Sequence, residues 1–317
     1  MITNKIKENK FCLSILIFLV FLFIFLIFKS HIFEEKFPLL SPSVSLIDRK
    51  DLLINFKSLE NYLSKYKNNS DYLVSIYFEY LPTGANISIN KDEKIWPASL
   101  IKIPFSMAVV KKIEKGILSM DDLMVLSEKN RDSDYGVLYL EPDGTTFSIR
   151  ELLEETLIRS DNTAYLMMIE NLKMSDVEEV YNHLGLDEVI EYMKASSENS
   201  EEPDISITAK RYTAFFRSLY GSTYLSPQDS TLFLNILSNA PCCYLCKAIP
   251  ENIKFIHKFG IHEEKMAYAD SGIVYIPNRP YLITVMIQAK KKLPDSKIEY
   301  IFKDISEAVF KYVYYAK

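Results

Sequence analysis

The sequence predicts an α+β fold in which strands from both chain ends form one antiparallel sheet, flanked by helices, with an inserted all-α lobe. Strand-like runs occur at residues 71–90 and again after Pro250. The chain between these two regions has helical apolar spacing and several helix start signals. This order of elements is typical of one sheet shared by both termini. We expect the functional site between the sheet and the lobe.

Composition excludes several classes of protein. The 317 residues are 48% hydrophobic and 25% charged, which indicates a globular chain, and the net charge of −5 gives no reason to expect nucleic acid. Cys242, Cys243 and Cys246 lie together without a histidine at ligand spacing. They predict no zinc site, and either a local disulfide or free thiols. We expect no metal and no cofactor.

The N-terminus differs in character from the rest. Residues 11–28 carry no charge, are long enough to cross a bilayer as a helix, and follow three lysines. We therefore expect a single-pass signal anchor with residues 1–10 as a cytoplasmic tail, residues 29–51 as a linker and residues 52–317 as an extracytoplasmic domain at the cell membrane. A cleaved signal peptide is the alternative.

The domain opens with "DLLINFKSLENYLSKY", whose apolar spacing is helical. The runs "DYLVSIYFEY" and "ANISIN" follow, separated by "LPTG", and predict a β-hairpin. After the segment "WPASLIKIP", the run "FSMAVVKKIEKG" predicts an apolar helix.

The middle of the chain, which includes the lobe at about residues 106–225, has three recognisable helix starts. Capping boxes are predicted at Ser148–Glu151 and Ser175–Glu178, and an N-cap followed by proline at Ser226–Asp229. Beyond the lobe, "NIKFIHKFG", "KMAYADSGIVYI" and "YLITVMIQAK" predict three strands, and "KIEYIFKDISEAVFKYVYY" predicts a closing helix.

Ser99 and Lys102 form an S-x-x-K pair at a predicted helix start. One helical turn apart, the lysine amine can reach the serine hydroxyl, and free N–H groups at the helix start can hold an oxyanion. Such a pair suits acyl transfer if burial lowers the pKa of the lysine. Because Pro104 follows, we expect an irregular helix start. An ordinary helix start without a catalytic role is the alternative.

Two further segments carry polar groups. Ser160, Asp161 and Asn162 form a predicted loop between helices, and a plain N-cap is the alternative interpretation. Lys258 is predicted at the end of a strand, with Gly260 allowing close approach of another segment. The alternative there is a surface lysine on an edge strand.

The three motifs, S-x-x-K, S-D-N and K-F-G, resemble in order and spacing those of class A β-lactamases and penicillin-binding proteins. The resemblance covers about residues 52–317. It implies the β-lactamase/transpeptidase-like fold. It also implies Ser99 as the acylated nucleophile, Lys102 as its proton acceptor, and Ser160 as the group that passes the proton to the leaving nitrogen.

The same resemblance implies substrate-binding residues. Asn162 would hold the amide side chain of the substrate, and Lys258 would add positive charge beside Ser160. Gly260 and Ile261 would complete the site, because the N–H of Ile261 would form the oxyanion hole together with the nucleophile's own N–H.

The sequence departs from the family pattern at three points. Phe259 replaces a hydroxyl residue of the third motif, and Ser271 stands where many class A enzymes carry arginine, so Lys258, Lys265 or Arg279 would have to bind a carboxylate. No E-x-x-L-N segment supplies a deacylation base. Glu198 is assigned that role here, and a solvated acidic loop is the alternative.

The sequence therefore predicts an exported, membrane-anchored serine hydrolase that opens β-lactams through an acyl-Ser99 intermediate. A D-alanyl-D-alanine carboxypeptidase acting on peptidoglycan stem peptides is the close alternative. A penicillin-binding sensor that reacts once without turnover is the second, and an exported α/β domain whose motifs coincide by chance is the third.

Overall fold

The structure, a computed structural model, describes residues 15–27, 38–39, 54–197 and 204–316. The chain divides into two units, Met1–Arg49 and Lys50–Lys317. In the first unit, residues 15–27 are helical and exposed. Within the described ranges, no helix has the length and apolar composition required to cross a membrane. Residues 11–14 and 28 of the predicted anchor lie outside the described residues, and the anchor stays a prediction.

The second unit follows the predicted order of helix, hairpin, helices, three strands and closing helix, with one further pair of strands among the middle helices. Its α-helices are α1 (Lys57–Leu63), α2 (Lys102–Glu114), α3 (Ile149–Glu154), α4 (Asn162–Ile169), α5 (Met174–His183), α6 (Asp187–Ser197), α7 (Ala209–Gly221), α8 (Pro227–Leu237) and α9 (Asp295–Tyr314). Its strands are β1 (Tyr72–Tyr80), β2 (Ala85–Ile89), β3 (Leu123–Val125), β4 (Thr146–Ser148), β5 (Phe255–His262), β6 (Ala267–Val274) and β7 (Tyr281–Ala289).

The main sheet has the order β2-β1-β7-β6-β5, and its neighbouring strands are antiparallel. Strand β1 pairs with β7 from Tyr72 opposite Ala289 to Tyr80 opposite Tyr281. The predicted sheet built from both chain ends is therefore confirmed. A second, two-stranded sheet of β3 and β4 lies within the lobe, which the sequence did not predict to contain strands.

The two faces of the sheet are covered by different helices. Helices α1 and α9 pack on one face, where apolar side chains of β1, β7 and α9 form a continuous buried cluster. Helix α7 packs on the other face against β7, where Thr213 Oγ1 lies 2.6 Å from Thr284 Oγ1. The helical lobe joins the sheet on this second face.

Helix starts follow the predicted caps in two of three cases. Ser148 forms a capping box with Glu151, and Ser226 caps α8 with proline at the next position. The box predicted at Ser175 is wrong, because α5 begins at Met174 after Lys173. The carboxylate of Asp176 accepts the Lys173 N–H at 2.8 Å, so the aspartate fixes an earlier start than the serine would.

Candidate active site

Ser99 lies in a 3₁₀ turn, Ala98–Ile101, directly before α2. Ala98 has φ 49°, in the left-handed region that costs an L-residue about 1 kcal/mol or more. The predicted irregular start is confirmed. Pro104 falls in the first turn of α2, where its missing N–H is not needed for the helix. Ser99 is half-buried, so its hydroxyl remains near the surface of the domain.

Lys102 is the first residue of α2, and its side chain is 3% exposed. Its Nζ donates to the Ser160 carbonyl at 2.5 Å, to Ser160 Oγ at 3.3 Å and to Asn162 Oδ1 at 2.6 Å. Burial lowers the pKa of Lys102 to about 7, and the carboxylates of Asp161 and Asp132 oppose that shift. The structure thus brings the first two predicted motifs into direct contact through this amine.

Ser160 occupies a strained position between two helices. A π-helical turn, Glu155–Arg159, ends at Ser160, whose φ is 60°. Asp161 then caps α4, its Oδ1 accepting the Ala164 N–H at 2.9 Å. A left-handed non-glycine residue persists only where its surroundings hold it, and such positions cluster at functional sites.

A loop that sequence reasoning missed lies against the S-D-N segment. Asp161 Oδ2 accepts the N–H groups of Val137 at 2.6 Å and Leu138 at 2.9 Å, and Asn162 N–H donates to the Tyr135 carbonyl at 2.9 Å. A Cβ at Gly136 would lie 2.1 Å from Asp161 Oδ2, so only glycine fits there. The scarcity of glycine was the one sequence signal that could have drawn attention to this loop.

Gly260 brings the third motif to the nucleophile. A Cβ at this residue would lie 2.7 Å from the backbone nitrogen of Ser99, so β5 runs directly past the 3₁₀ turn. Ile261 follows on β5 with its side chain 36% exposed. The two predicted oxyanion N–H groups, of Ser99 and Ile261, therefore belong to segments in contact.

Lys258 lies in the middle of β5, not at its end, and is 1% exposed. The surface-lysine alternative is therefore wrong, although β5 is an edge strand. Its Nζ donates to the Phe259 carbonyl at 3.2 Å. Burial and then the charge of Lys102 hold the pKa of Lys258 well below its usual range, while Asp270 opposes them. The two amines are therefore close enough for their charges to interact.

Phe259 points to the opposite face of β5. Side chains alternate along a strand, so Lys258 and Gly260 face Ser99 while Phe259 faces the core. The Phe259 ring is 7% exposed and contacts Tyr244 edge-on at 6.2 Å between ring centroids. It contributes packing and no polar contact to the site.

The other proposed carboxylate partners are engaged elsewhere. Ser271 Oγ lies 2.6 Å from Thr284 Oγ1 in the layer beneath the site. The Arg279 guanidinium donates to the carbonyls of Val313, Tyr314 and Ala316 at the end of α9. Lys265 Nζ lies 4.0 Å above the Trp96 ring. Lys258 is the candidate that the structure places beside the nucleophile.

A buried acid–imidazole pair was also missed. His257 Nδ1 lies 2.8 Å from Asp270 Oδ1, and Asp270 Oδ2 accepts the Leu245 N–H at 2.9 Å. Leu245 lies inside the loop that the disulfide between Cys242 and Cys246 closes, and Cys243 in the same loop is a free thiol. The carboxylate thus joins β6 to the chain that precedes β5.

Glu198 lies outside the described residues, so its assignment as a deacylation base stays a prediction. Across the described ranges, no group of three or more His, Cys, Asp or Glu side chains is arranged to hold a metal ion. The site consists of a half-buried hydroxyl, two desolvated amines and a second hydroxyl. Such a set can transfer protons and form an acyl-serine.

Residues 57–313 match the model of the β-lactamase enzyme family. Among curated proteins, D-alanyl-D-alanine carboxypeptidase DacF of Bacillus subtilis (strain 168) is 31% identical over 89 residues, which are 28% of this chain and 23% of that protein. The match therefore spans less than a quarter of that carboxypeptidase.

Solved structures share the fold. A β-lactamase from Sphaerobacter thermophilus DSM 20745 superposes with a TM-score of 0.71 at 22% identity, covering 82% of this chain and 98% of that one. PBP-A superposes with a TM-score of 0.70 at 18% identity, covering 80% and 95%. A PBP-A variant in an acyl-enzyme complex with penicillin G has a TM-score of 0.69 at 19% identity, covering 80% and 95%.

Proposed function

Because the chain belongs to the β-lactamase enzyme family, we propose that it is a serine hydrolase that opens β-lactams. From the uncharged residues 11–28 we propose further that it is exported and anchored in the cell membrane. One observation carries the proposal. The buried amine of Lys102 contacts Ser160 and Asn162, and its pKa is about 7. A lysine in that state can act as a base at neutral pH.

The acylation step follows from this arrangement. Ser99 Oγ forms a bond to the lactam carbonyl carbon, and its proton passes to the neutral amine of Lys102. With a pKa of about 7, about half of Lys102 is neutral at pH 7, against about 0.04% for a lysine of ordinary pKa. The low pKa therefore raises the fraction of competent base by about three orders of magnitude.

Collapse of the tetrahedral adduct breaks the lactam C–N bond. The leaving nitrogen takes a proton from the Ser160 hydroxyl, and Lys102 returns a proton to that hydroxyl, 3.3 Å from its Nζ. The N–H groups of Ser99 and Ile261 stabilise the oxyanion of the adduct. The product of this step is an ester on Ser99.

Deacylation requires water to attack that ester, and Glu198 is the base that we assign to this step. A D-alanyl-D-alanine carboxypeptidase is the second candidate function. It is favoured by the local similarity to the Bacillus subtilis carboxypeptidase. A penicillin-binding sensor would stop at the ester.

One experiment separates these functions. The full-length protein and Ser99→Ala are incubated with a fluorescent penicillin and, separately, with a peptide ending in D-Ala-D-Ala. Hydrolysis of the lactam supports the β-lactamase. A stable adduct with peptide cleavage supports the carboxypeptidase, and a stable adduct alone supports the sensor. Equal behaviour of the parent and Ser99→Ala contradicts the acyl-serine mechanism.

A further inference from the structure

The amide group of Asn162 is held on both sides. Its Oδ1 accepts from Lys102 Nζ at 2.6 Å, and its Nδ2 donates to Asp132 Oδ1 at 3.0 Å. An ionised carboxylate can only accept hydrogen bonds, so it binds the NH₂ end of the amide and not the oxygen. The carboxylate of Asp132 therefore specifies which end of the Asn162 amide faces Lys102.

We propose that Asp132 is a positioning residue for the acyl transfer, acting through Asn162 on Lys102. The effect of Asp132 on acyl transfer rests on the proposed function. Its effect on the orientation of the Asn162 amide rests on the contacts alone. Its loop, which precedes α4 by some thirty residues, carried no sequence motif. Asp132 does not touch the nucleophile, and its effect passes through the amide.

Hydrogen bonds within the protein hold the Asp132 side chain and backbone in place. Thr163 Oγ1 accepts the Asp132 N–H at 3.0 Å and donates to the Asp132 carbonyl at 3.2 Å. The N–H of Asp134 donates to Asp132 Oδ1 at 2.9 Å. Thr163 is fully buried on α4, the helix that also carries Asn162. Helix α4 thus carries the Asn162 amide and also holds the backbone of Asp132, which orients that amide.

The charges that face Lys102 define the expected effect. Asp161 and Asp132 favour its protonated form, and Lys258 faces it from β5. The Tyr165 ring on α4 lies 5.8 Å from Nζ, and burial raises the pKa of its phenol, which therefore stays neutral. Removing the Asp132 charge leaves Asp161 as the carboxylate opposing burial, so the pKa of Lys102 must fall.

The test compares Asp132→Asn with Asp134→Asn in the full-length protein. Asp134 is exposed and two residues away, so its variant makes the same change in net charge without touching the amide. The titration of Lys102 is followed by NMR of ¹³Cε-labelled lysine, with the signal assigned by its loss in Lys102→Arg. We expect Asp132→Asn to move the midpoint downward by about 1 pH unit and Asp134→Asn to leave it in place. Equal midpoints in Asp132→Asn and the parent, or equal shifts in both variants, overturn the proposal.

A double-mutant cycle tests the route through the amide. In the parent background, Asp132→Asn should slow acylation by a fluorescent penicillin about tenfold, measured at a pH where the parent rate has reached its plateau. In the Asn162→Ala background, the same substitution should leave the rate unchanged. An equal effect in both backgrounds overturns the proposal. If the parent itself is not acylated, the proposed function fails. The NMR titration of Asp132→Asn, repeated in the Asn162→Ala background, then still decides whether Asp132 acts on Lys102 through the amide.

Discussion

The backbone nitrogen of Ser99 and Gly260 are in contact, since a Cβ at residue 260 would lie only 2.7 Å from that nitrogen. The same Cβ would lie 3.1 Å from the Ala98 side chain and from the Pro97 carbonyl. The turn that carries the nucleophile therefore rests on β5 itself. Any group added at this point separates the two segments that form the site.

Gly260→Ala is expected to reduce the rate of acylation of Ser99 at least about 100-fold. The added methyl group displaces the turn that carries Ser99, and a displacement of about 1 Å between reacting groups lowers a reaction rate by about that factor. The substitution should also destabilise the domain by about 1–3 kcal/mol through overpacking. Stopped-flow acylation and urea denaturation measure the two effects. Gly221→Ala is the control, because its Cβ would meet only a Thr223 methyl carbon, at 3.3 Å. Normal acylation by Gly260→Ala would contradict the contact.

The acylation rate should rise with pH through about 7, where Lys102 loses its proton. The neutral amine is the proton acceptor, so the rate is low below that pH and reaches a plateau above it. A pH profile of acylation under single-turnover conditions measures the midpoint. A flat profile between pH 6 and pH 9 would exclude Lys102 as the base.

Replacing Lys102 by methionine should change the pH dependence of stability. The pKa of Lys102 is lowered on folding from 10.5 to about 7, so the unfolded chain binds more protons between these values, and stability rises with pH across this window. Below pH 7 the Lys102 amine is protonated in the folded protein, and its buried charge lowers the free energy of unfolding by the full amount. The free energy of unfolding of Lys102→Met minus that of the parent should therefore be about 3–5 kcal/mol larger at pH 6 than at pH 11, because only the parent is destabilised at pH 6.

Urea denaturation at both pH values measures this difference. Lys111→Met on the same helix is the control, since Lys111 pairs with Glu114 near the surface. A pH-independent difference between the parent and Lys102→Met would show that the amine is not desolvated.

The disulfide between Cys242 and Cys246 should stabilise the domain by about 2 kcal/mol, the entropy of closing a short loop. The double variant Cys242→Ser, Cys246→Ser is expected to unfold at correspondingly lower urea concentration. Cys243→Ser removes the free thiol only and is the matched control. Equal stability of the double variant and the parent would indicate that Leu245 and its bond to Asp270 hold the segment without the disulfide.

Phe259→Thr tests the departure in the third motif. The added hydroxyl should not restore carboxylate recognition, because residue 259 faces Tyr244 and not Ser99. Loss of the ring should instead destabilise the domain by about 2–4 kcal/mol. Phe259→Leu keeps most of the apolar volume and is the control. Faster acylation by penicillin in Phe259→Thr would contradict this orientation.

The sequence predicted those parts of the molecule that local chemistry determines. The hairpin, the caps at Ser148 and Ser226, and the Ser99–Lys102 pair each depend on residues close together in the chain. The grouping of these elements into one site came from the resemblance to a family.

The contacts that orient the site were not predictable in this way. A plain N-cap was the alternative interpretation of Ser160, Asp161 and Asn162. Asp161 does cap α4, yet its other oxygen accepts N–H groups some twenty residues earlier, and only the fold brings that loop to it. Asp270 and His257 became partners through the register of β5 and β6. Such pairs are set by tertiary packing, which no single segment encodes.

The register that places Tyr72 opposite Ala289 has a consequence for synthesis of the protein. During translation, Ser99 and Lys102 leave the ribosome long before β7 exists, and β1 then lacks the neighbour that pairs with it along its whole length. Pairing the first strand with the last closes the longest loop between paired strands of the sheet, a slow kind of step in folding. A nascent chain that stops before Tyr281 contains both residues of the first motif, but its β1 has no β7 to pair with.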